Sequence, residues 1–256
     1  MSKKISKMAK AIIRAPFHVV GLDLIKKKSD VRELEDAGMM AALQQKYIPE
    51  HWLVAEGIKT VLDVGAHMGE FAQKISIMLP GAQIVCFEPL QEPFGKLTAR
   101  FASNPRFRTV NYALGEQPGE FEMQHNEYAP SSSLLPMSEV HKAAFEFAVD
   151  TKPEKIQVRR LSDVAKEMKF HDPILLKLDV QGFEDKVIRG GEDVVARAKI
   201  IISEVSFRPL YQGGPLFDDI YNMLKARGFT YRGNFDQVVG PVDRQIMQGD
   251  AIFCRL

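Results

Sequence analysis

Cysteine is scarce in this chain. Its 256 residues hold two, Cys86 and Cys254, each inside an apolar, strand-like run. Two thiols so placed make neither a disulfide framework nor a zinc site; they read as buried free thiols in a reducing cytoplasm. Long apolar runs are missing too, since none approaches the roughly 20 residues that span a bilayer. Neither sign of charge dominates: 34 Lys and Arg face 33 Asp and Glu, a net charge of +1. That balance, without interleaved basic and aromatic residues, offers no general field to nucleic acid. No repeat or low-complexity tract appears. What is present is an apolar content of 45%, ample for one large domain or a domain with a small extension.

The first 48 residues differ from the rest. Lys3, Lys4, Lys7, Lys10, Arg14, Lys26, Lys27 and Lys28 outnumber Asp23 and Asp30 within the first 30. Ile5, Met8, Ile12 and Ile13 can share one helical face. A secretory signal would need a longer apolar core and a small-residue cleavage site. Residues 1–48 therefore read as a basic helical extension that packs on the domain or on a partner subunit. Peripheral contact with an anionic membrane is the alternative. Residues 49–256 form the main domain.

That domain is organised around Thr60-Val61-Leu62-Asp63-Val64-Gly65-Ala66-His67-Met68-Gly69-Glu70. It reads as a buried strand (60–64), a glycine turn and a helix opening near Gly69. Such a turn at the end of a parallel strand is where an open α/β sheet binds its ligand. Gly65 permits the tight turn, and Gly69 lets the helix lie close to the strand or to a ligand. The second strand, 83–87, ends in Glu88, 23 residues beyond Gly65. A carboxylate there can accept both hydrogen bonds of a ribose diol. A dinucleotide would favour G-x-G-x-x-G to seat its pyrophosphate, whereas this turn is D-x-G-x-x-x-G. An acid at both strand ends favours S-adenosylmethionine, whose ammonium suits Asp63 and whose ribose suits Glu88.

Further along, helices are expected over about 69–79 and 91–101, and a third strand over 107–114. Residues 119–124 and 155–160 alternate like strands, and Ser162 is placed to cap a short helix. Residues 126–153 lack a clean period and read as an insertion over the carboxyl ends of the strands. Buried strands follow at 174–178 and 199–205, with a helix over 216–227. The pair 229–232 and 251–255 has no helix between its members, which predicts an antiparallel hairpin at one edge. Alternating strands and helices make a mostly parallel sheet with helices on both faces.

Four blocks resemble the FkbM-type S-adenosylmethionine-dependent methyltransferases: Val61 to Glu70, Cys86-Phe87-Glu88-Pro89, Ser131-Ser132-Ser133-Leu134-Leu135, and Leu176-Lys177-Leu178-Asp179-Val180-Gln181-Gly182-Phe183-Glu184. The likeness spans about residues 58–255 and leaves the basic extension outside. It implies a Rossmann-like class I methyltransferase fold with a seven-stranded sheet. It also implies methyl transfer to a hydroxyl, often on a sugar or secondary metabolite. His67 stands where the family often has Asn. Asp63, Gly65, Ala66, His67, Gly69, Glu88 and Pro89 are the expected cofactor site; Tyr112 and Ala113, after the third strand, either border the adenine or belong to the core. Ser132, in the serine cluster, would donate to a polar acceptor or to the cofactor's carboxylate.

Methyl transfer from a sulfonium needs an aligned acceptor and a group to take the hydroxyl proton. Asp179, at the end of an apolar strand, is the first candidate for base or orienter, and a Mg²⁺-holding role stays open for it and for Glu204. Glu204 interrupts the strand 199–205; it is a second candidate, or forms an ion pair with Lys177. The alternative for both is to help bind the acceptor. Glu184 in the first turn of a helix is ordinary there. His67, His125 and His141 share no metal-ligand spacing. The Asn-Pro-Pro-Tyr and Asp-Pro-Pro-Tyr signatures of base methylation are absent. No Tyr-x-x-x-Lys pair follows the third strand, which weakens an NAD-dependent oxidoreductase. A non-catalytic cofactor-binding partner in a biosynthetic assembly, or a methyltransferase acting on another macromolecule, remains as an alternative. An oligomer is also compatible with the sequence.

Overall fold

A computed structural model describes residues 52–125, 132–144, 151–240 and 243–255. The basic extension and, within the 126–153 insertion, residues 126–131 and 145–150 lie outside the described residues. In chain order the elements are α1 (Trp52–Ala55), β1 (Thr60–Val64), α2 (Glu70–Met78), β2 (Gln83–Phe87), α3 (Gln91–Phe101), β3 (Phe107–Val110), β4 (Ala113–Leu114), β5 (Gly119–His125) and α4 (Glu139–Ala144). There follow β6 (Lys152–Arg159), α5 (Leu161–Glu167), β7 (Ile174–Leu178), α6 (Glu184–Gly190), α7 (Glu192–Arg197), β8 (Ala198–Ser206), α8 (Phe217–Ala226), β9 (Thr230–Val239) and β10 (Ile246–Cys254). Among the described residues, no helix is long and apolar enough to cross a membrane.

The main sheet has seven strands in the order β3-β2-β1-β7-β8-β10-β9. Strands β3, β2, β1, β7 and β8 run parallel, and β10 is antiparallel to both β8 and β9. The fold is therefore the expected α/β sheet with an antiparallel edge hairpin. The central strands β1 and β7 are buried at every residue. A strand covered on both faces is apolar at nearly every position, which is why Val61, Leu62, Val64 and Ile174 to Leu176 follow no alternation. Leu62, Val64, Leu176, Leu178, Ile201 and Phe253 build one face of the core. The opposite face carries Asp63, Lys177 and Ile202 in register across β1, β7 and β8.

The order reverses between β1 and β7. From β1 the chain winds outward to β2 and β3; from β7 it winds the other way to β8 and the hairpin. Two neighbouring strands whose following segments depart in opposite directions leave a crevice at their carboxyl ends.

Three expectations need correction. The third strand does not run from 107 to 114: β3 ends at Val110, and Ala113–Leu114 pairs with β6 in a separate three-stranded sheet, β4-β6-β5. The break follows from Asn111, whose amide donates to the carbonyls of Glu88 and Pro89 at 3.0 and 2.8 Å and ties the chain to the end of β2. Ser162 does not cap α5. The cap position is the extended Arg160, and the Ser162 hydroxyl donates to Asp193 instead. Finally, β9 and β10 are about twice the expected length. Register shifts between their paired residues break the period that would have marked them.

Candidate active site

At the end of β1 the backbone turns sharply. Gly65 sits at φ +83°, and a Cβ there would lie 1.8 Å from the carbonyl oxygen of Asp179. The turns after β1 and β7 are thus packed backbone against backbone, and glycine is the residue that fits. The Gly65 and Ala66 amides donate to the Phe87 carbonyl, both at 3.0 Å, and the Asp179 amide donates to the Val64 carbonyl at 3.0 Å. Gly69 does something else. A Cβ there would meet Phe101 at 2.5 Å and Leu97 at 2.8 Å, so this glycine seats α2 against α3 rather than against a ligand.

Glu88 is buried at the end of β2. Its Oε2 accepts from the His67 amide at 2.8 Å and its Oε1 from the Leu90 amide at 2.9 Å. Burial pushes this carboxyl up to about 7, and the two amide bonds only partly offset that. Asp63 is buried below the turn, and its Oδ2 has no hydrogen-bond partner among the described residues. Burial raises its carboxyl to about 7 against the pull of Lys177.

On the other side of the crevice, Lys177 is buried and donates to Asp250 Oδ1 at 2.8 Å and Asp179 Oδ2 at 3.2 Å. Burial opposes its charge, but Asp179, Asp250 and Glu204 outweigh that and hold the ammonium above the usual lysine range. The expected Lys177–Glu204 pair is replaced by these two bonds. Gln181, at φ +53°, is the hub. Its Nε2 donates to Asp179 Oδ1 at 2.8 Å and to Glu204 Oε2 at 2.7 Å. Its Oε1 accepts from the buried Tyr211 hydroxyl, and its carbonyl accepts from Ser133 Oγ at 2.7 Å. Burial, and after it Asp179, push Glu204 well above the glutamate range. Glu184 caps the turn: its Oε1 accepts from the Val180 and Gly182 amides at 3.0 and 3.3 Å. Burial raises it to about 7 as well.

One cleft joins the two sides. Among the residues expected at the site, Gly65, His67, Glu88, Pro89, Ala113, Ser132 and Asp179 line it, together with apolar Leu90, Met123 and Leu134. Asp63, Ala66 and Lys177 are buried and Glu204 is partly exposed; none of the four is among the residues that line it. Tyr112 lies elsewhere: its ring is 5.9 Å from Phe87, with the Arg159 guanidinium 5.2 Å over it, as part of the core. His125 pairs with Glu154 at 3.1 Å, and His141 packs edge-on against Tyr211. Among the described residues, no group of three or more His, Cys, Asp and Glu could hold a metal ion. The two carboxylates considered for Mg²⁺ share the Gln181 amide between them.

Gln181, Asp250 and Tyr211 are site residues beyond those expected from the sequence. Gln181 falls inside the block from Leu176 to Glu184, which was its signal. Asp250 follows Gln248 and Gly249 and stands just before the apolar run Ala251–Cys254, which gives it no comparable signal.

A switch-point crevice, a glycine turn and a buried acid after β2 agree with the comparisons to known proteins. The model of the Methyltransferase FkbM domain matches residues 63–231. The 2-O-methyltransferase NoeI of Sinorhizobium fredii is 26% identical over 160 residues, covering 60% of this chain and 65% of that protein. Methyltransferase sdnD of Sordaria araneosa is 26% identical over 157 residues, covering 52% and 60%. The crystal structure of methyltransferase FkbM from Methylobacillus flagellatus shares the fold, with a TM-score of 0.50 at 14% identity, over 77% of this chain and 44% of that one. The chain spans less than two thirds of the length of each of these relatives. With the family model covering most of the domain and the crevice where that fold keeps its site, the chain belongs to the FkbM methyltransferase family.

Proposed function

We propose that this protein is an S-adenosylmethionine-dependent O-methyltransferase acting on a hydroxyl of a sugar or small metabolite. The observation that carries the reading is the single cleft that has Glu88 at one end and Asp179 with Gln181 at the other. When bound, S-adenosylmethionine supplies a methyl group on a good leaving group, so the protein has only to bind, align and deprotonate.

The residues present fit that cofactor. Glu88 lies in the cleft wall with both oxygens fixed by backbone amides, and each keeps a lone pair for a ribose hydroxyl. Asp63 brings a buried carboxylate with one unpartnered oxygen beneath the glycine turn, a match for the cofactor's ammonium. Leu90, Ala113, Met123 and Leu134 give the cleft apolar walls for a flat base and exclude water. Asp179 and Glu204, joined by Gln181, form the polar end at which an acceptor hydroxyl would be held. The name of NoeI as a 2-O-methyltransferase favours oxygen as the methylated atom.

Calorimetric titration of the full chain with S-adenosylhomocysteine tests the reading. Binding in the micromolar range, with no binding of NAD, is the expected result. A folded protein that binds neither would overturn the enzyme reading and favour a non-catalytic member of a biosynthetic assembly.

A further inference from the structure

We propose that Glu204, rather than Asp179, takes the proton of the acceptor hydroxyl, and that Gln181 is the positioning residue that gives the two carboxylates different tasks. The inference rests on the methyl-transfer reading above.

The hydrogen bonds divide the pair. Asp179 has both oxygens engaged: Oδ2 by the Lys177 ammonium and Oδ1 by the Gln181 amide. A hydroxyl can still bond a remaining lone pair there. The charge of that carboxylate is already met by the buried Lys177 ammonium, which suits holding the hydroxyl rather than taking its proton. Glu204 has one bond, from Gln181 to Oε2, and its Oε1 takes no hydrogen bond among the described residues. It is partly exposed and sits one hydrogen bond away from Gln181, which lines the cleft.

The amide cannot face the other way. Both carboxylates accept, so the NH₂ end must point at them, and its two N–H groups are then both spent. The Tyr211 hydroxyl donates to the opposite oxygen and fixes that orientation. Ser133 Oγ holds the Gln181 carbonyl, and the left-handed backbone at φ +53° aims the side chain into the gap.

Charge points the same way. Glu204 faces Asp179 and Lys177 from β7 and its turn, Glu184 from α6, Asp250 from its paired position on β10, and the phenol of Tyr211. One ammonium stands among four carboxyls. Burial and the neighbouring anions raise the proton affinity of Glu204, which makes its carboxylate a stronger base than an ordinary glutamate. In the step, Glu204 Oε1 takes the hydroxyl proton as the acceptor oxygen bonds to the methyl carbon. The carbon–sulfur pair returns to sulfur, the sulfonium charge disappears, and a neutral thioether leaves beside a protonated Glu204.

The test begins without an acceptor. Carbon-13 NMR of side-chain carboxyls in the full chain, with the Glu204 signal assigned by its loss in Glu204→Gln, should show a midpoint well above the glutamate range. Asp179→Asn should move that midpoint down, because one anion is gone. A Glu204 that titrates as an ordinary glutamate, or ignores Asp179→Asn, overturns the proposal. Calorimetry with S-adenosylhomocysteine separates the two readings: lost binding in wild type sinks the methyl-transfer reading whatever the NMR gives. Retained binding in Glu204→Gln and Gln181→Leu shows that those variants fold. Methyl glycosides of glucose, mannose and galactose then serve as acceptors. Glu204→Gln should lose roughly 10²-fold or more in turnover, the scale of a lost general base. Asp179→Asn should keep a pH limb shifted to lower pH. If the limb vanishes in Asp179→Asn and survives in Glu204→Gln, Asp179 is the base and the proposal falls.

Discussion

The two ends of the cleft are built from different materials. Around Glu88 the contacts are made by main chain: the amides of Gly65, Ala66, His67 and Leu90 are spent on Phe87 and Glu88. Around Asp179 they are made by side chains: Lys177, Gln181, Glu204, Tyr211 and Asp250 bond one another. A backbone site tolerates exchange of side chains but no change of backbone path. A side-chain network behaves in the opposite way. The cofactor end should therefore break at its glycines, and the acceptor end at its charges.

The largest effect belongs to Gly65→Ala. The new methyl would overlap the Asp179 carbonyl, and φ +83° would be strained for alanine. A loss of about 4 kcal/mol or more in urea unfolding is expected. Gly81→Ala, with nothing within 4 Å of its added methyl, is the control and should change stability by less than about 0.5 kcal/mol. Equal losses in both would mean that the tight backbone contact is not what glycine serves.

Next comes Lys177→Met. It keeps the volume but leaves Asp179, Asp250 and Glu204 without their buried cation. Removing one partner from a buried ionic group costs about 3 kcal/mol or more. The loss should shrink at acidic pH, where the carboxyls can take protons. A loss that is independent of pH would mean that packing against Phe71 dominates, the ammonium lying 5.8 Å from that ring.

Much of the first end was legible in the sequence and little of the second. The strands β1, β2, β7 and β8 stand out because each is buried on both faces, so the apolar run is nearly unbroken. The turn at Gly65 and the acid at 88 are local features with a fixed spacing. The network is not local. Gln181 meets Tyr211 thirty residues on, and Lys177 meets Asp250 seventy-three residues on. The register that aligns Asp250 with Glu204 depends on a bulged hairpin whose alternation is broken. Tyr112 shows the converse error: proximity in sequence to the cleft-lining Ala113 did not bring its ring there, because the chain changes sheets between β3 and β4.

A smaller effect concerns binding. Glu88→Ala removes the ribose acceptor and should weaken S-adenosylhomocysteine by about 10- to 100-fold, the worth of hydrogen bonds to a charged group. Unchanged affinity would move the ribose elsewhere. Asp63, Glu88 and Glu184 also carry a pH signature. Each folded carboxyl is raised to about 7 by burial, above its unfolded value near 4. Their contribution to stability is thus full below about pH 4 and is lost as pH rises to about 7. Cofactor affinity should run the opposite way, rising towards pH 7 and above, as Asp63 and Glu88 ionise and can meet an ammonium and a diol. Parallel trends in stability and affinity would sever the two acids from the cofactor.

The smallest effect tests the backbone reading most directly. His67 lies at φ +49°, and its amide, not its ring, reaches Glu88. The ring leans towards Glu70 at 3.7 Å on a partly exposed surface, a contact of little weight. Asparagine accepts left-handed backbone more readily than most residues. His67→Asn should therefore leave stability and S-adenosylhomocysteine affinity within about 0.5 kcal/mol of wild type. His67→Val, whose branched side chain resists that conformation, should cost about 1 kcal/mol or more and weaken binding with it. If instead the asparagine variant loses affinity and the valine variant does not, the imidazole itself touches the ligand. The cofactor end would then be a side-chain site like the acceptor end, and the contrast between the two would disappear.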